Sequence, residues 1–193
     1  MEENSDDTVV FDSTADTGKM STALYIALLA IFCALTTVAT IMFIIPIPST
    51  FGYFNLGDAL VMLSGILLGP VGGFIAGGIG SAMGDVALGY FAFAPFTFLI
   101  KGGEGLIVGM IGRYSNGSQI PRPWDLLAVI LGAIVMLSGY YIAEVVFLGI
   151  SPMAALLELV AFNSIQVIAG GIISITIGPM LRGFLQSYTK GIM

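Results

Sequence analysis

The chain has 193 residues, of which 57% are hydrophobic and 9% charged, and its mean hydropathy is +1.01. A soluble domain carries about 25% charged residues, so this composition excludes a soluble enzyme, a nucleic-acid-binding protein and a disulfide scaffold. Six of the twelve acidic residues precede Lys19, and the rest of the chain is balanced at six acids and six bases, Lys19 included. The sequence therefore predicts an acidic, disordered cytoplasmic tail over residues 1–19 and one membrane domain over residues 20–193.

Apolar runs in the membrane domain predict an all-α bundle of six transmembrane helices. A span needs about 20 mostly apolar residues. The long run 56–88 is divided into two short spans at Gly69-Pro70, because proline interrupts a helix. The sixth span begins at Ser151-Pro152, a good helix start, and is expected to bend near Pro179. The runs are residues 22–45, 56–88 (two spans), 95–111, 124–148 and 152–181.

The distribution of basic residues predicts the orientation in the membrane. The loops near residues 46–54, 89–94 and 149–151 carry no lysine or arginine. The segments on the other side carry five: Lys19, Arg113, Arg122, Arg182 and Lys190. Since cytoplasmic segments carry the excess of basic residues, both termini are predicted to be cytoplasmic. Lys101 remains inside a span.

Small residues form two stripes at helical spacing. One stripe, on the first helix, consists of Ala23, Ala27, Ala30 and Ala34. The other, on the third helix, consists of Gly69, Gly73, Gly77, Ser81 and Asp85. Small residues allow close contact between helices. Either stripe could serve packing within the chain or contact with a partner.

Polar residues within the predicted spans lie in the outer half of the membrane or near its middle. Ionisable residues there are costly and are functional candidates by default. Those in the outer half are Asp85, Lys101, Glu104, Glu144 and Glu158; Asn163 and Gln166 lie deeper, and Tyr140 is one turn below Glu144. The pattern predicts a pocket that is open to the outside and closed from below.

Simpler interpretations of these residues stay open. Asp58 lies three residues after Asn55 and could serve only to complete a helix N-terminus. Asp85 and Lys101 lie in the outer halves of consecutive helices and could neutralise each other. Lys101 and Glu104 are spaced i, i+3, so a local ion pair competes with that one.

Several kinds of chemistry lack the residues that they need. Histidine is absent and Cys33 is the only cysteine, so no metal site or Cys-His catalysis is predicted. No phosphate-binding loop of the G-x-x-x-x-G-K-[ST] type occurs, so ATP hydrolysis by that route is excluded. We predict no enzymatic activity and no cofactor.

Four short segments together resemble the substrate-binding S components of energy-coupling factor (ECF) transporters. They are FNLGDA at residues 54–59, LLGPVGG at 67–73, GD at 84–85 and IKGGEG at 100–105. The resemblance covers residues 20–185. It implies a six-helix protein that captures a vitamin from outside. It also implies docking, through the alanines of the first helix, on a transmembrane coupling (T) subunit that carries two ATPase subunits.

The resemblance also implies where the ligand lies. The family holds it with the outer ends of helices four to six and the loop after helix one, which is Pro46 to Phe54 here, with Phe51, Tyr53 and Phe54 as a lid. The predicted ligand is of the pyridoxine or hydroxymethylpyrimidine type first and riboflavin second. The predicted substrate-binding residues are Tyr53, Asp85, Lys101, Glu104, Tyr140, Glu144, Asn163 and Gln166.

Two other functions are weighed against this one. A self-sufficient secondary transporter or channel would work without partner subunits. An intramembrane enzyme such as a lipid transferase has no aspartate-rich or histidine motif to support it.

Overall fold

The computed structural model describes residues 20–191, with side chains up to residue 187. The predicted acidic tail lies outside these residues. The elements are α1 (Thr22–Met42), β1 (Ile45–Ile47), β2 (Gly52–Phe54), α2 (Gly57–Leu88), α3 (Ala94–Gly112), α4 (Pro123–Ile142), α5 (Pro152–Glu158) and α6 (Ser164–Gly191). A 3-10 turn follows α3 at Arg113–Ser115, and π-helical turns follow α4 at Ala143–Phe147 and α5 at Leu159–Asn163.

Five helical stretches of the described chain are long and apolar enough to cross a membrane. They are Thr22–Met42, Gly57–Leu88, Ala94–Ser115, Pro123–Phe147 and Pro152–Ser187. The protein is therefore a helical membrane protein, as predicted. The number is five and not the predicted six, because the two halves of α2 are included in one helical element.

The halves of α2 meet at a sharp break. Gly69 has φ 76° and ψ −170°, a conformation open to glycine and unfavourable for other residues. A Cβ atom placed on Gly77 would lie 2.8 Å from the Val61 side chain. In a straight helix these two residues would be about 24 Å apart. The chain therefore reverses at Gly69 into a first arm (residues 57–68) and an antiparallel second arm (residues 70–88).

The glycine stripe of the second arm is a packing surface within the chain. A Cβ atom on Gly77 would lie 2.6 Å from the carbonyl oxygen of Lys101, and Gly73 lies directly against the backbone of Gly105. Helices that approach this closely have room for hydrogen atoms only. The stripe thus fixes the second arm against α3.

Helix α1 packs on α2 with one face only. The Thr37 hydroxyl donates a hydrogen bond to the Gly80 carbonyl at 2.8 Å, and Thr36 and Thr40 are buried. The four alanines of the first stripe all lie on the opposite, exposed face: Ala23, Ala27, Ala30 and Ala34.

The connection after α1 contains a short β hairpin, which the all-α prediction did not include. Its strands pair antiparallel, with Ile45 opposite Phe54 and Ile47 opposite Gly52. Three residues per strand are too few to show an alternating apolar pattern in the sequence. The hairpin (residues 45–54) lies at the same end of the bundle as Asp85 and Glu158, which it contacts.

The opposite end of the bundle holds the arginines. Arg182 on α6 forms a buried ion pair with Asp125 on α4 at 2.7 Å. Its guanidinium also lies near Gly112 at the end of α3. Helix α6 continues through Pro179 to Gly191, beyond the predicted end at Leu181.

Candidate functional site

A partly open cavity lies beneath the hairpin, lined by residues of all six helices. Small-molecule sites in proteins are clefts or cavities lined by aromatic and apolar side chains with a small number of placed polar groups. Six of the eight predicted substrate-binding residues line this cavity: Tyr53, Asp85, Lys101, Tyr140, Asn163 and Gln166. The structure therefore brings together, in one pocket, residues from five separate segments of the chain.

Glu104 and Glu144, the other two predicted residues, lie outside the cavity wall. Glu104 is fully buried beside Lys101. Glu144 is 1% exposed and belongs to the π turn after α4, where it faces the carboxylate of Glu158. Neither carboxylate oxygen of Glu144 has a hydrogen-bond partner among the described residues.

Lys101 is the buried cation of the pocket, and two carboxylates neutralise it. Its ammonium group forms ion pairs with Asp58 and with Glu104, the latter at 3.2 Å. It also lies 5.7 Å from the centre of the Tyr140 ring. The predicted i, i+3 pair with Glu104 is confirmed.

The alternative pair between Asp85 and Lys101 is wrong. The reversal of α2 at Gly69 places Asp58 beside α3, where its carboxylate forms the ion pair with the Lys101 ammonium group. Within residues 20–187, Asp85 has no ion pair.

Asp58 lies behind the cavity wall and contacts two lining residues, whereas its position in the sequence favours the completion of a helix N-terminus. Its side chain is fully buried, pairs with Lys101 and accepts a hydrogen bond from the Gln166 amide at 2.9 Å. Asn55 does cap this helix, because its side-chain oxygen accepts from the Gly57 N–H. The sequence could have indicated this role for Asp58. Lys101 is the only basic residue between Lys19 and Arg113, so every carboxylate in that part of the chain is a candidate for an ion pair with it.

Gln166 ties three parts of the chain together at the cavity wall. Its side-chain oxygen accepts from the Asn55 N–H at 2.7 Å, and its amide nitrogen donates to Asp58. The residue therefore joins the end of the hairpin to α2 and α6. Each of its polar atoms is engaged within the protein.

Two hydroxyl groups of the hairpin hold it over the cavity by hydrogen bonds to carboxylates of the helices. Thr50 donates a hydrogen bond to Glu158, and the Tyr53 phenol donates to Asp85. Burial, and then the Asp85 charge, raises the pKa of Tyr53 above its ordinary value, so the phenol keeps its proton for this bond. Of the predicted lid residues, Tyr53 fills this role, whereas Phe51 at the hairpin tip is 77% exposed.

Glu158 and Asn163 flank the π turn that follows α5. Both side chains are buried, both line the cavity, and the Asn163 amide faces the Glu158 carboxylate. The wider turn presents both residues to the cavity although they are five positions apart, and π turns are frequent at functional sites. Glycine at position 52 leaves room for this carboxylate, since a Cβ there would lie 2.7 Å from its oxygen.

The chemistry of the pocket is that of a binding site. Carboxylates, amides and hydroxyls from separate helices converge on one cavity with aromatic walls formed by Tyr53, Phe93 and Tyr140. In the part of the chain that the structure describes, no three potential metal ligands come together. The arrangement suits a small ring that carries hydrogen-bond donors.

Comparisons with known proteins agree with this geometry. The family model described as "ECF-type riboflavin transporter, S component" matches residues 20–187. A Pyrococcus woesei protein, described as an uncharacterized protein in the gap 3' region, is 43% identical over 148 residues, which cover 76% of this chain and 93% of the relative. The thiamine precursor transporter HmpT of Lactococcus lactis subsp. cremoris is 30% identical over 168 residues, which cover 86% of this chain and 93% of that protein.

Proposed function

The chain belongs to the S component family of ECF transporters, and from that premise we propose that it captures a thiamine precursor of the hydroxymethylpyrimidine type. The family is one of transport components and implies association with T and ATPase subunits. The single observation that carries the choice of ligand is the polar cavity, whose hydrogen-bond acceptors and aromatic walls suit a small ring with donor groups. The HmpT relative supports the same choice.

The charges around the cavity favour a neutral ligand with donor groups over an organic phosphate. Lys101 is already paired with two carboxylates, so it offers no free positive charge to a phosphate. Asp85 and Glu158 line the cavity as hydrogen-bond acceptors, which match the amino and hydroxyl groups of a hydroxymethylpyrimidine.

Six membrane crossings, with the cavity facing outside, form part of the proposal. The two antiparallel arms of α2 would supply the second and third crossings. Arg113, Arg122 and Arg182 belong to the end opposite the hairpin, and an excess of basic residues is typical of the cytoplasmic side. Labelling of single cysteines in a Cys33→Ala background tests this: Ser49→Cys should react in intact cells, and Ser118→Cys only after permeabilisation.

The exposed alanine face of α1 is the proposed docking surface for the T subunit. The four alanines (Ala23, Ala27, Ala30 and Ala34) are exposed, and within residues 20–187 no other helix covers them. Small residues on a membrane-facing helix allow a partner helix to approach closely. ATP would then be hydrolysed by the two ATPase subunits, which agrees with the lack of a phosphate-binding loop in this chain.

Calorimetric titration of the purified protein tests the choice of ligand. Hydroxymethylpyrimidine should bind most tightly, and pyridoxine and riboflavin more weakly, because the amino and hydroxyl groups of the pyrimidine match the carboxylate acceptors of the cavity. Binding of riboflavin in preference to the pyrimidine would overturn the proposal.

Reconstitution in liposomes separates this function from that of a self-sufficient transporter. The isolated chain should bind ligand without accumulating it, because binding energy shifts populations only by a difference in affinity between states. The complete complex with ATP should accumulate the ligand. Accumulation by the isolated chain under a proton or sodium gradient would favour the secondary transporter.

A further inference from the structure

Two polar atoms on the second arm of α2 face the cavity without a partner. They are Oδ2 of Asp85 and Oγ of Ser81, and neither has a hydrogen-bond partner among the residues that the structure describes. Their side chains are 2% and 3% exposed, and both residues line the cavity. A buried polar atom without a partner is unfavourable, so a ligand group that bonds to it gains the most there.

Several other polar side chains of the cavity are engaged within the protein. Glu158 accepts from Thr50 and faces Asn163. Lys101 and Gln166 are bound to Asp58. Among the described residues that line the cavity, only Ser81 and Asp85 have a buried side-chain atom without a hydrogen-bond partner.

The positions of these two residues are fixed by their neighbours. Ser81 and Asp85 are spaced i, i+4, so they lie one helical turn apart on the same face. One turn earlier, Gly77 packs against the Lys101 carbonyl, which holds the arm against α3. The Tyr53 phenol donates to the other oxygen of Asp85, and the Thr97 hydroxyl faces the same carboxylate.

We propose that Asp85 and Ser81 are specificity-determining residues, which bind the amino group and the neighbouring hydroxymethyl group of the pyrimidine. The amino N–H donates to Oδ2 of Asp85, and the ligand hydroxyl exchanges a hydrogen bond with Oγ of Ser81. This assignment rests on the proposed function. It places the recognition of both groups on α2, whereas the family resemblance indicated helices four to six.

A cycle of protein and ligand variants tests Ser81. Ser81→Ala should weaken binding of the hydroxymethyl ligand about tenfold, the effect of one hydrogen bond. Binding of the analogue with a methyl group in place of hydroxymethyl should change less than about twofold, which is within the scatter of single contacts. The control is Ser64→Ala, a buried serine outside the cavity that bonds to the Val61 carbonyl at 2.7 Å. This control should leave the affinity for both ligands unchanged.

Thermal unfolding separates a ligand contact from a structural role. Because the Ser81 hydroxyl has no partner in the described chain, Ser81→Ala should not lower the melting temperature of the ligand-free protein. Ser174→Ala should lower it, since that hydroxyl bonds to the Gly170 and Ala59 carbonyls. A fall for Ser81→Ala equal to that for Ser174→Ala would overturn the assignment of Ser81.

The matching test for Asp85 uses Asp85→Asn. The variant should weaken binding of the amino ligand about 30-fold or more, because a charge-assisted hydrogen bond is roughly twice as strong as a neutral one. The analogue with a methyl group in place of the amino group should lose much less. Equal losses for the two ligands, or no loss, would overturn the assignment while the proposed function stands. Failure of the unmodified protein to bind the pyrimidine would overturn both.

Discussion

The two stripes of small residues have the same spacing in the sequence and opposite surroundings in the structure. On the second arm of α2, Gly73 and Gly77 are pressed against the backbone of α3. On α1, the alanines from Ala23 to Ala34 lie on the exposed face. Spacing therefore shows that a helix can be approached closely, and it does not show whether the approaching helix belongs to the same chain.

The difference can be traced to residue size. Glycine has no Cβ, so it permits contact at backbone distance, and a neighbouring helix of the same chain occupies that space at Gly73 and Gly77. Alanine retains a methyl group, which gives a smooth apolar surface that is stable against lipid and suits a reversible contact. We expect the glycine stripe to be required for folding and the alanine stripe for assembly.

Enlarging the glycine stripe should have the largest effect. Gly73→Leu should prevent folding, because even a Cβ at this position overlaps the backbone of Gly105, which has no space to move. Gly73→Ala should destabilise the protein by about 1–3 kcal/mol or more, the usual effect of overpacking. The measurements are the yield of monodisperse protein in detergent and its melting temperature.

Gly112→Ala provides the matched control for the glycine stripe. A Cβ at that position has no atom nearer than 3.9 Å, so the protein should fold normally. A well-folded Gly73→Leu protein would show that the close contact with α3 is not required.

Enlarging the alanine stripe should abolish uptake and spare the fold. Ala27→Leu or Ala30→Leu places a bulky side chain on an exposed face, where no other described part of the chain packs against it. Ligand affinity and melting temperature should stay unchanged, while ATP-driven uptake by the complete complex is lost. Leu35→Phe, at an exposed position about 110° around the same helix from the mean direction of the four alanines, should retain uptake. Loss of folding in both alanine variants would make this stripe an internal packing surface too.

The sequence could predict the apolar framework because it depends on local patterns. The boundaries of α1, α3 and α4 lie within a few residues of the predicted ones, and the break at Gly69-Pro70 follows from the two residues that most strongly interrupt a helix. The hairpin and the π turns were missed. Their formation depends on contacts such as that between Thr50 and Glu158, which join residues far apart in the chain.

Hydrogen-bond partners within the pocket could not be predicted for the same reason. Asn163 and Gln166 form an i, i+3 pair in the sequence and were expected to play the same role. In the structure Gln166 is committed to Asn55 and Asp58, whereas Asn163 faces the cavity beside Glu158. The two amides therefore differ as the two stripes do: the polar atoms of Gln166 are bound within the chain, whereas Asn163 is exposed to the ligand cavity.

Replacing these two amides should show that distinction. Gln166→Leu should lower the stability of the ligand-free protein by about 1–3 kcal/mol, because the Asn55 N–H and Asp58 lose a buried partner. Asn163→Leu should lower stability less than Gln166→Leu, because Asn163 contacts the one carboxylate of Glu158, and it should weaken ligand binding by about 1–3 kcal/mol. Melting temperature and calorimetric affinity measure the two effects. The expectation fails if both variants lose stability equally or if the affinity of Asn163→Leu is unchanged.

The smallest effect is expected at Tyr53. This residue combines the two roles, because its phenol forms a hydrogen bond within the chain and its ring also lines the ligand cavity. Tyr53→Phe removes one hydrogen bond between the hairpin and Asp85, so stability should fall by about 0.5–1.5 kcal/mol and ligand should dissociate a few times faster. Burial raises the pKa of Tyr53 above its ordinary value of 10.0, so the folded protein holds this proton more tightly than the unfolded chain does. The contribution of the phenol is therefore present below about pH 10 and is lost as the pH rises further. Unfolding measured between neutral and alkaline pH should show this loss in the unmodified protein and a smaller one in Tyr53→Phe. Identical alkaline profiles would mean that the phenol does not hold the hairpin closed.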